Sequence, residues 1–158
     1  MFQLYHVLLK DNWTMKQEMT EANELYVCSV SDLGTRNRKR ITVADRDIFI
    51  VKAGDQFYAL DSFCYHAGGP LYNGDIEDLG GRTCMVCPWH KYKVCLNTGQ
   101  NYYQSVDPHN LDKPPKWTAG EVRQRTHTVT VRDGNIYVTL SSCDGTLDSD
   151  HYNKHKEK

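Results

Sequence analysis

The chain has 158 residues, with 19 Lys plus Arg against 20 Asp plus Glu and a formal net charge of -1, a balance that excludes the strongly basic profile of a nucleic-acid binder. That length suits one domain with a core of its own, and no run reaches the ~18 apolar residues of a membrane span. The opening MFQLYHVLLK lacks the basic region and cleavage site of a secretory signal. A soluble, monomeric, intracellular protein of the cytoplasm is therefore expected, with its 6 cysteines as reduced thiols or metal ligands rather than a disulfide framework.

Residues 1–23 are mixed in character; Leu4, Tyr5, Leu8 and Leu9 share one face of a short helix, and the segment reads as a flexible leader. From Glu24 the pattern turns to short β-rich runs: ELYVCSV at 24–30, KRITV at 39–43, DIFIVKAGDQFYALD at 47–61 and THTVTVRDGNIYVTL at 126–140. Ala53-Gly54-Asp55 and Asp133-Gly134-Asn135 each divide a run in two and mark a hairpin, because glycine at the bend admits positive φ. No stretch between Glu24 and Leu140 sustains a helical period, so residues 24–141 are expected to form one all-β domain, a small antiparallel sandwich or partly open barrel.

The run RNRKR at 36–40 reads as a solvated hairpin loop, with a patch for an acidic partner as the sharper alternative. Asp75, Glu77 and Asp78 read as a solvated turn. Pro108, Pro114 and Pro115 disfavour regular structure in the segment 101–120. His127 shares parity with Val129 and Val131 and is expected to face the core with its imidazole hydrogen-bonded. The polar, aperiodic residues 142–158 read as a flexible tail. His6, His109, His151 and His155 fall in stretches expected to be flexible.

Two segments do not read as strands: CYHAGGPLYNGD at 64–75 and CPWHKYK at 87–93. Each opens with a cysteine followed closely by a histidine, giving Cys64-x-His66, twenty residues, then Cys87-x-x-His90, the donor composition of a four-ligand metal site. One residue between Cys64 and His66 is tight for two ligands on one tetrahedral ion. A bridged pair of irons relaxes this, with thiolates on one iron and imidazoles on the other. Gly68, Gly69 and Pro70 suggest a backbone that approaches something closely, Pro88 stiffens the second loop, and Trp89 covers one side of it. A Cys2His2 zinc site stays open at this point, as does the bland reading in which four polar residues line turns. Colour separates zinc from a red-brown iron–sulfur protein.

Cys84 and Cys87 also spell C-x-x-C. Thr83–Val86, however, reads as the strand feeding the second loop, so Cys84 and Cys95 are expected to be small buried side chains. Cys28, in a strand run, and Cys143, in the tail, have no partner at ligand spacing.

Cys64-Tyr-His66 with Cys87-Pro-Trp-His90 resembles the paired loop motif of Rieske proteins. The similarity runs from about Leu25 to Leu140, through the Thr98-Gly99 turn and the DGNIYV hairpin. The resemblance implies a Rieske-type antiparallel β-sandwich with a small cluster-binding subdomain of two loops. It implies one 2Fe-2S cluster per chain, with Cys64 and Cys87 on one iron and His66 and His90 on the other. The function implied is that of a ferredoxin-like one-electron carrier, not an enzyme, serving an unidentified redox donor and acceptor; Lys91 and Lys93 would guide an acidic one. A third, proline-containing loop is implied beneath the cluster, with Pro114-Pro115 as its counterpart.

Rieske subunits of cytochrome bc complexes carry a further cysteine in each loop, and these form a disulfide. Gly69 and Trp89 stand at those positions here, and Tyr92 and Val94 stand where a serine and a tyrosine donate hydrogen bonds to sulfur. Fewer donors stabilise the reduced cluster less, so a midpoint potential at the low end of roughly −150 to +300 mV is expected. Two other functions stay open: an electron-transfer component of an oxygenase system, whose mononuclear iron would need a separate catalytic domain, and a cluster-based sensor.

Overall fold

The computed structural model describes residues 23–153. Its strands are β1 (Glu24–Ser29), β2 (Arg38–Val43), β3 (Arg46–Ala53), β4 (Gln56–Asp61), β5 (Asp75–Asp78), β6 (Thr83–Val86), β7 (Lys93–Cys95), β8 (Gln100–Ser105), β9 (Lys116–Val122), β10 (Thr126–Arg132) and β11 (Asn135–Thr139). They form a six-stranded sheet in the order β1-β11-β10-β4-β3-β2 and a five-stranded sheet in the order β5-β6-β7-β8-β9. Every pairing is antiparallel. The helical pieces among the described residues are 3-10 turns at Val30–Leu33, Leu71–Asn73 and Asp148–Tyr152. The all-β expectation is met, with one enlargement: the second loop is carried by a sheet of its own.

Strand β3 explains how the two layers meet. Ile48, Phe49, Ile50 and Val51 are all fully buried. Alternate side chains of a strand point to opposite faces, so four apolar residues in a row require cover on both sides. Ile48 and Ile50 pack with Val27, Val43, Ala59, Ile136 and Val138. This group lies inside the six-stranded sheet, which curls until its edge strands β1 and β2 touch. Phe49 and Val51 face the other way, onto Leu60, Leu71, Met85, Val94 and Leu96, in the core that joins the two sheets. Each such side chain contributes about 1.5–3 kcal/mol by leaving water.

Both expected hairpins form. The β10–β11 turn has Asp133 and Gly134 at φ 51 and 75 between the paired Arg132 and Asn135, as a two-residue turn of twisted strands requires. A further two-residue turn joins β2 to β3 through Ala44 and Asp45, at φ 44 and 61. It contains no glycine and so left no signal in the sequence.

Several expectations give way to long-range contacts. Arg38 and Arg40 lie on β2 rather than in a solvated loop. Arg38 donates from Nη1 to the carbonyls of Tyr72 (3.2 Å) and Gly74 (2.5 Å), while Arg40 pairs with Asp47 and lies over the rings of Phe63 (4.9 Å) and Tyr72 (4.7 Å). Asp75, Glu77 and Asp78 belong to the edge strand β5, where charge discourages further pairing. The segment 101–120 is largely ordered as β8 and β9, and its prolines all fall in the connection between them, where no ladder bond is lost.

The tail expected at 142–158 folds back as far as residue 153. Ser149 is fully buried and donates from Oγ to Asp61 Oδ2 (2.8 Å), while Asp150 receives Arg125 Nε (2.7 Å) and pairs with Arg46. Arg46 and Arg125 are largely enclosed and need counter-ions, which an aperiodic sequence does not reveal. Residues 1–22, most of the expected leader, and 154–158 lie outside the described residues.

Asp61 is the centre of these contacts. Fully buried, it receives Arg46 through Nε (2.7 Å) and Nη2 (2.6 Å), Ser149 Oγ, and His127 Nε2 (3.2 Å). His127 Nδ1 accepts the backbone N–H of Ser141 (3.2 Å), so its proton sits on Nε2, facing Asp61. The expectation of a core-facing, hydrogen-bonded His127 is met. Burial pushes the Asp61 carboxyl up, but the hydrogen bonds from His127, Arg46 and Ser149 outweigh it and hold the group below the usual carboxylate range. Asp150 is lowered in the same way against its own burial, chiefly by Arg125.

Carboxyls depressed in the folded state stabilise it above their unfolded value, about 3.9, and lose that contribution as pH falls below it. Denaturation measured from about pH 6 to 2 should therefore show stability falling in acid. Asp61→Asn should cost about 3–5 kcal/mol near neutrality and make the acid decline shallower; an unchanged decline would contradict the assignment.

Candidate metal centre

The first loop, residues 62–74, leaves β4; the second, residues 87–92, joins β6 to β7. In the first, the Cys64 N–H donates to Gly69 O (2.8 Å) and the Cys64 carbonyl accepts from Gly68 N (2.9 Å). In the second, the Cys87 N–H donates to Tyr92 O (2.8 Å) and its carbonyl accepts from Lys91 N (3.0 Å). Each cysteine backbone is thus tied in both directions within its own loop, which fixes the direction of each Cα–Cβ bond. Lys91 adopts φ 59 to complete the second turn.

The first loop rests on Gln124, which is fully buried between β9 and β10. Its Oε1 accepts Tyr65 N–H (2.9 Å), and its Nε2 donates to the carbonyls of Asp61 (3.0 Å) and Phe63 (2.9 Å). The Gly99 carbonyl in turn accepts the backbone N–H groups of Arg123 (3.1 Å) and Gln124 (3.0 Å). Gly99 has φ 71, and a Cβ there would run into the Gln124 carbonyl, so the Thr98-Gly99 turn must carry glycine. Pro114 and Pro115 do not perform this role. They are exposed, and Pro114 lines a cleft with Ser105, Val106, Asp107, Lys113 and Lys116, none of them from either loop. Nothing in the sequence marked Gln124, an isolated amide between two strands.

The structure sets the four expected donors like beside like, thiol near thiol and imidazole near imidazole. Cys64 and Cys87 are 1% and 2% exposed, within the core shared by the two sheets. His66 and His90 are exposed, their ring centroids 4.9 Å apart and their planes at 86°. The Tyr92 ring stacks on His66 at 3.9 Å, and Trp89 meets His90 edge-on at 6.4 Å. Trp89 is itself 59% exposed, so it flanks the site without sealing it. A Cβ on Gly69 would lie 3.0 Å from Cys87 Sγ and 3.0 Å from the Trp89 ring; the absence of a side chain there lets the two loops approach closely.

Burial pushes the Cys64 thiol up to about 12, with the backbone N–H of His66 pulling it down and neighbouring Cys87 adding to the rise. A cation must therefore displace the proton to gain the thiolate. Among the described residues no three of His, Cys, Asp and Glu converge on one point suited to a single ion. The soft sulfur donors lie inside and the imidazoles outside.

The other cysteines keep away, as expected. Cys84 and Cys95 face each other across β6 and β7, buried with Leu79 and Tyr102. Cys84 is three positions from Cys87 and one from Met85, which packs with Cys87 in the other core, so strand alternation turns it away from the site. Burial, reinforced by Cys95, pushes the Cys84 thiol up to about 12. Cys28 lies in the core of the curled sheet, and Cys143 is exposed. His109 and His151 are exposed, and His151 meets the ring of Tyr152 edge-on at 4.9 Å.

Comparison with known proteins gives the family of the chain. Residues 25–143 match the family described as soluble Rieske-type ferredoxin. A Rieske domain-containing protein of Homo sapiens is 45% identical over 142 residues, spanning 90% of each chain. The 3-phenylpropionate/cinnamic acid dioxygenase ferredoxin subunit of Escherichia coli (strain K12) is 31% identical over 119 residues, covering 75% of this chain and 94% of that one. In fold, the ferredoxin of carbazole 1,9a-dioxygenase from Nocardioides aromaticivorans IC177 superposes with a TM-score of 0.53 at 21% identity, covering 75% of this chain and 99% of that one. Two loops with paired thiols and imidazoles, on a fold and a sequence shared with these proteins, place the chain in one family: it belongs to the soluble Rieske-type ferredoxins.

Proposed function

We propose that this chain carries one electron at a time on one 2Fe-2S cluster, held by Cys64 and Cys87 at one iron and by His66 and His90 at the other. The observation that carries the reading is the division of the donors, two thiols buried beneath two exposed imidazoles whose rings are 4.9 Å apart. Such a cluster, when bound, supplies a reversible one-electron couple. The residues of the chain do the rest. The backbone N–H of His66 points at Cys64 sulfur, where it offsets negative charge, and Gly69 admits the close approach of the loops. His66 and His90 bring the ligand set to the surface, giving electrons a short way out.

A low potential without a loop disulfide is the subtype we assign. Gly69 and Trp89 occupy the positions of the disulfide cysteines, Val94 is a fully buried hydrocarbon, and Tyr92 turns its ring onto His66. Val94 has no hydrogen to donate to sulfur, so the added electron is less stabilised.

The carrier unit is residues 24–141, acting as a cytoplasmic monomer between a reductase and an acceptor. The Escherichia coli relative is named a ferredoxin subunit of a dioxygenase. By that likeness an oxygenase component is the acceptor class to try first. The reaction itself would belong to that partner, because an oxygenase's mononuclear iron needs a catalytic domain of its own. Lys91 and Lys93 flank His90 beside a groove walled by Tyr92, Tyr103 and Trp117, with Lys93 Nζ 5.8 Å above the Trp117 ring, and would favour an acidic partner face.

Iron and acid-labile sulfide analysis with EPR of the reduced protein should give one 2Fe-2S cluster per chain. Cys64→Ser and His90→Ala should lose the signal, whereas Cys84→Ser and Cys95→Ser should keep it; loss in Cys84→Ser would refute the ligand assignment. Redox titration should place the midpoint near the low end of the family range, and a value above about +200 mV would contradict the subtype. Charge reversal at Lys91 and Lys93 should slow transfer to an acidic partner and flatten its dependence on salt. Unchanged rates at low ionic strength would exclude that face.

A further inference from the structure

The match to the family ends at residue 143, yet the chain continues into a contact with the first loop. We propose that residues 147–153 form a strap that holds this loop in its ligating shape, with Tyr152 as a positioning residue for His66; this rests on the cluster reading above. The Tyr152 hydroxyl donates to the carbonyl oxygen of His66 (3.1 Å). Its ring lies over Gly68, where an added Cβ would come within 2.6 Å of Tyr152 Cδ1.

Tyr152 can act this way because the strap is fastened on both sides of it. Before it, the Ser149 N–H donates to Arg123 O (3.1 Å), Ser149 Oγ donates to buried Asp61 and accepts from Arg125 N (2.9 Å), and Asp150 pairs with Arg125 and Arg46. Asp148 pairs with Arg123 at 2.9 Å. After it, the Asn153 side chain accepts Asp47 N–H (2.8 Å) and donates to Asp47 O (2.9 Å), as a strand partner would. The ring is thus presented from a fixed base.

His66 needs such support. It is exposed and lies two residues before a glycine at φ 69. The loop's own backbone bonds close on Cys64, and the hydrogen bond at the His66 carbonyl comes from the strap. On the other side its ring meets Tyr92 of the second loop at 3.9 Å. His66 is pinned between the second loop and the strap, and an imidazole ligand keeps its ring angle only when so held.

The test compares the full chain carrying Tyr152→Phe, which removes only the hydrogen bond, and Tyr152→Ala, which also removes the ring. Ile136→Val, a core change remote from both loops, controls for general loss of stability. Loss of visible colour is followed in excess EDTA, with EPR of each reduced protein. Colour should fade about 10-fold faster in Tyr152→Ala and about 3-fold faster in Tyr152→Phe, the scale expected when support behind a metal ligand is removed. The Ile136→Val protein should stay close to wild type. The EPR lines of Tyr152→Ala should shift, which general destabilisation would not cause. Fading at the wild-type rate in both Tyr152 variants, with unchanged EPR, would overturn the strap. If Tyr152→Ala does not fold, an unchanged rate in Tyr152→Phe overturns the positioning role of the hydroxyl. A wild-type chain without iron or sulfide would instead count against the cluster reading alone.

Discussion

The Asp61 carboxylate stands at the last position of β4, where the sheet ends and the first loop begins. A buried charge is tolerated only when fully paired, and Asp61 draws its partners from three separate parts of the chain. Arg46 comes from the start of β3, His127 from β10 and Ser149 from the C-terminal strap. Gln124 then holds the carbonyl of the same residue. Side chain and backbone of one aspartate therefore gather the segments that surround the root of the loop. A loop that lies outside both sheets gains rigidity from this cluster of polar contacts.

From that root outward, the environment changes over a few residues. Cys64 and Cys87 share a core with Phe49, Leu60, Met85 and Val94, whereas His66 and His90 reach the surface. The difference suits electron transfer. Buried sulfur is shielded from water and from competing thiol chemistry, while the exposed imidazoles are open to an approaching partner. Exposed Trp89 and Tyr92 and the neighbouring lysines surround those imidazoles with an apolar and basic rim.

What could be read in advance was whatever local chemistry demands. The β-rich runs and the Gly54 and Gly134 bends depend on residue type within a few positions, and the structure places them as expected; the paired Cys-His spacing is local in the same way, and the ligand set drawn from it is the reading proposed above. The misses share one cause. Arg38 and Arg40 left the expected loop because carbonyls and rings some thirty residues away receive them. The tail folded because Asp150 answers two arginines distant in sequence. Gln124 carries no local mark, because its partners are backbone groups of Asp61, Phe63 and Tyr65, far away in sequence. Pro114 and Pro115 misled in the other direction: proline marks a place where ladder bonds are dispensable, and here that place is the exposed end of the β8–β9 hairpin.

The central claim is that two histidines, and not four cysteines or a single zinc ion, complete the ligand set. Pulsed EPR of the reduced protein, prepared with isotopically labelled histidine nitrogen, tests it most directly. Strong coupling to two histidine nitrogens, with one lost on replacing His66 by cysteine in any variant that retains a cluster, is the result this account predicts. A reduced cluster showing no histidine coupling, or a colourless protein holding one zinc ion, would contradict it.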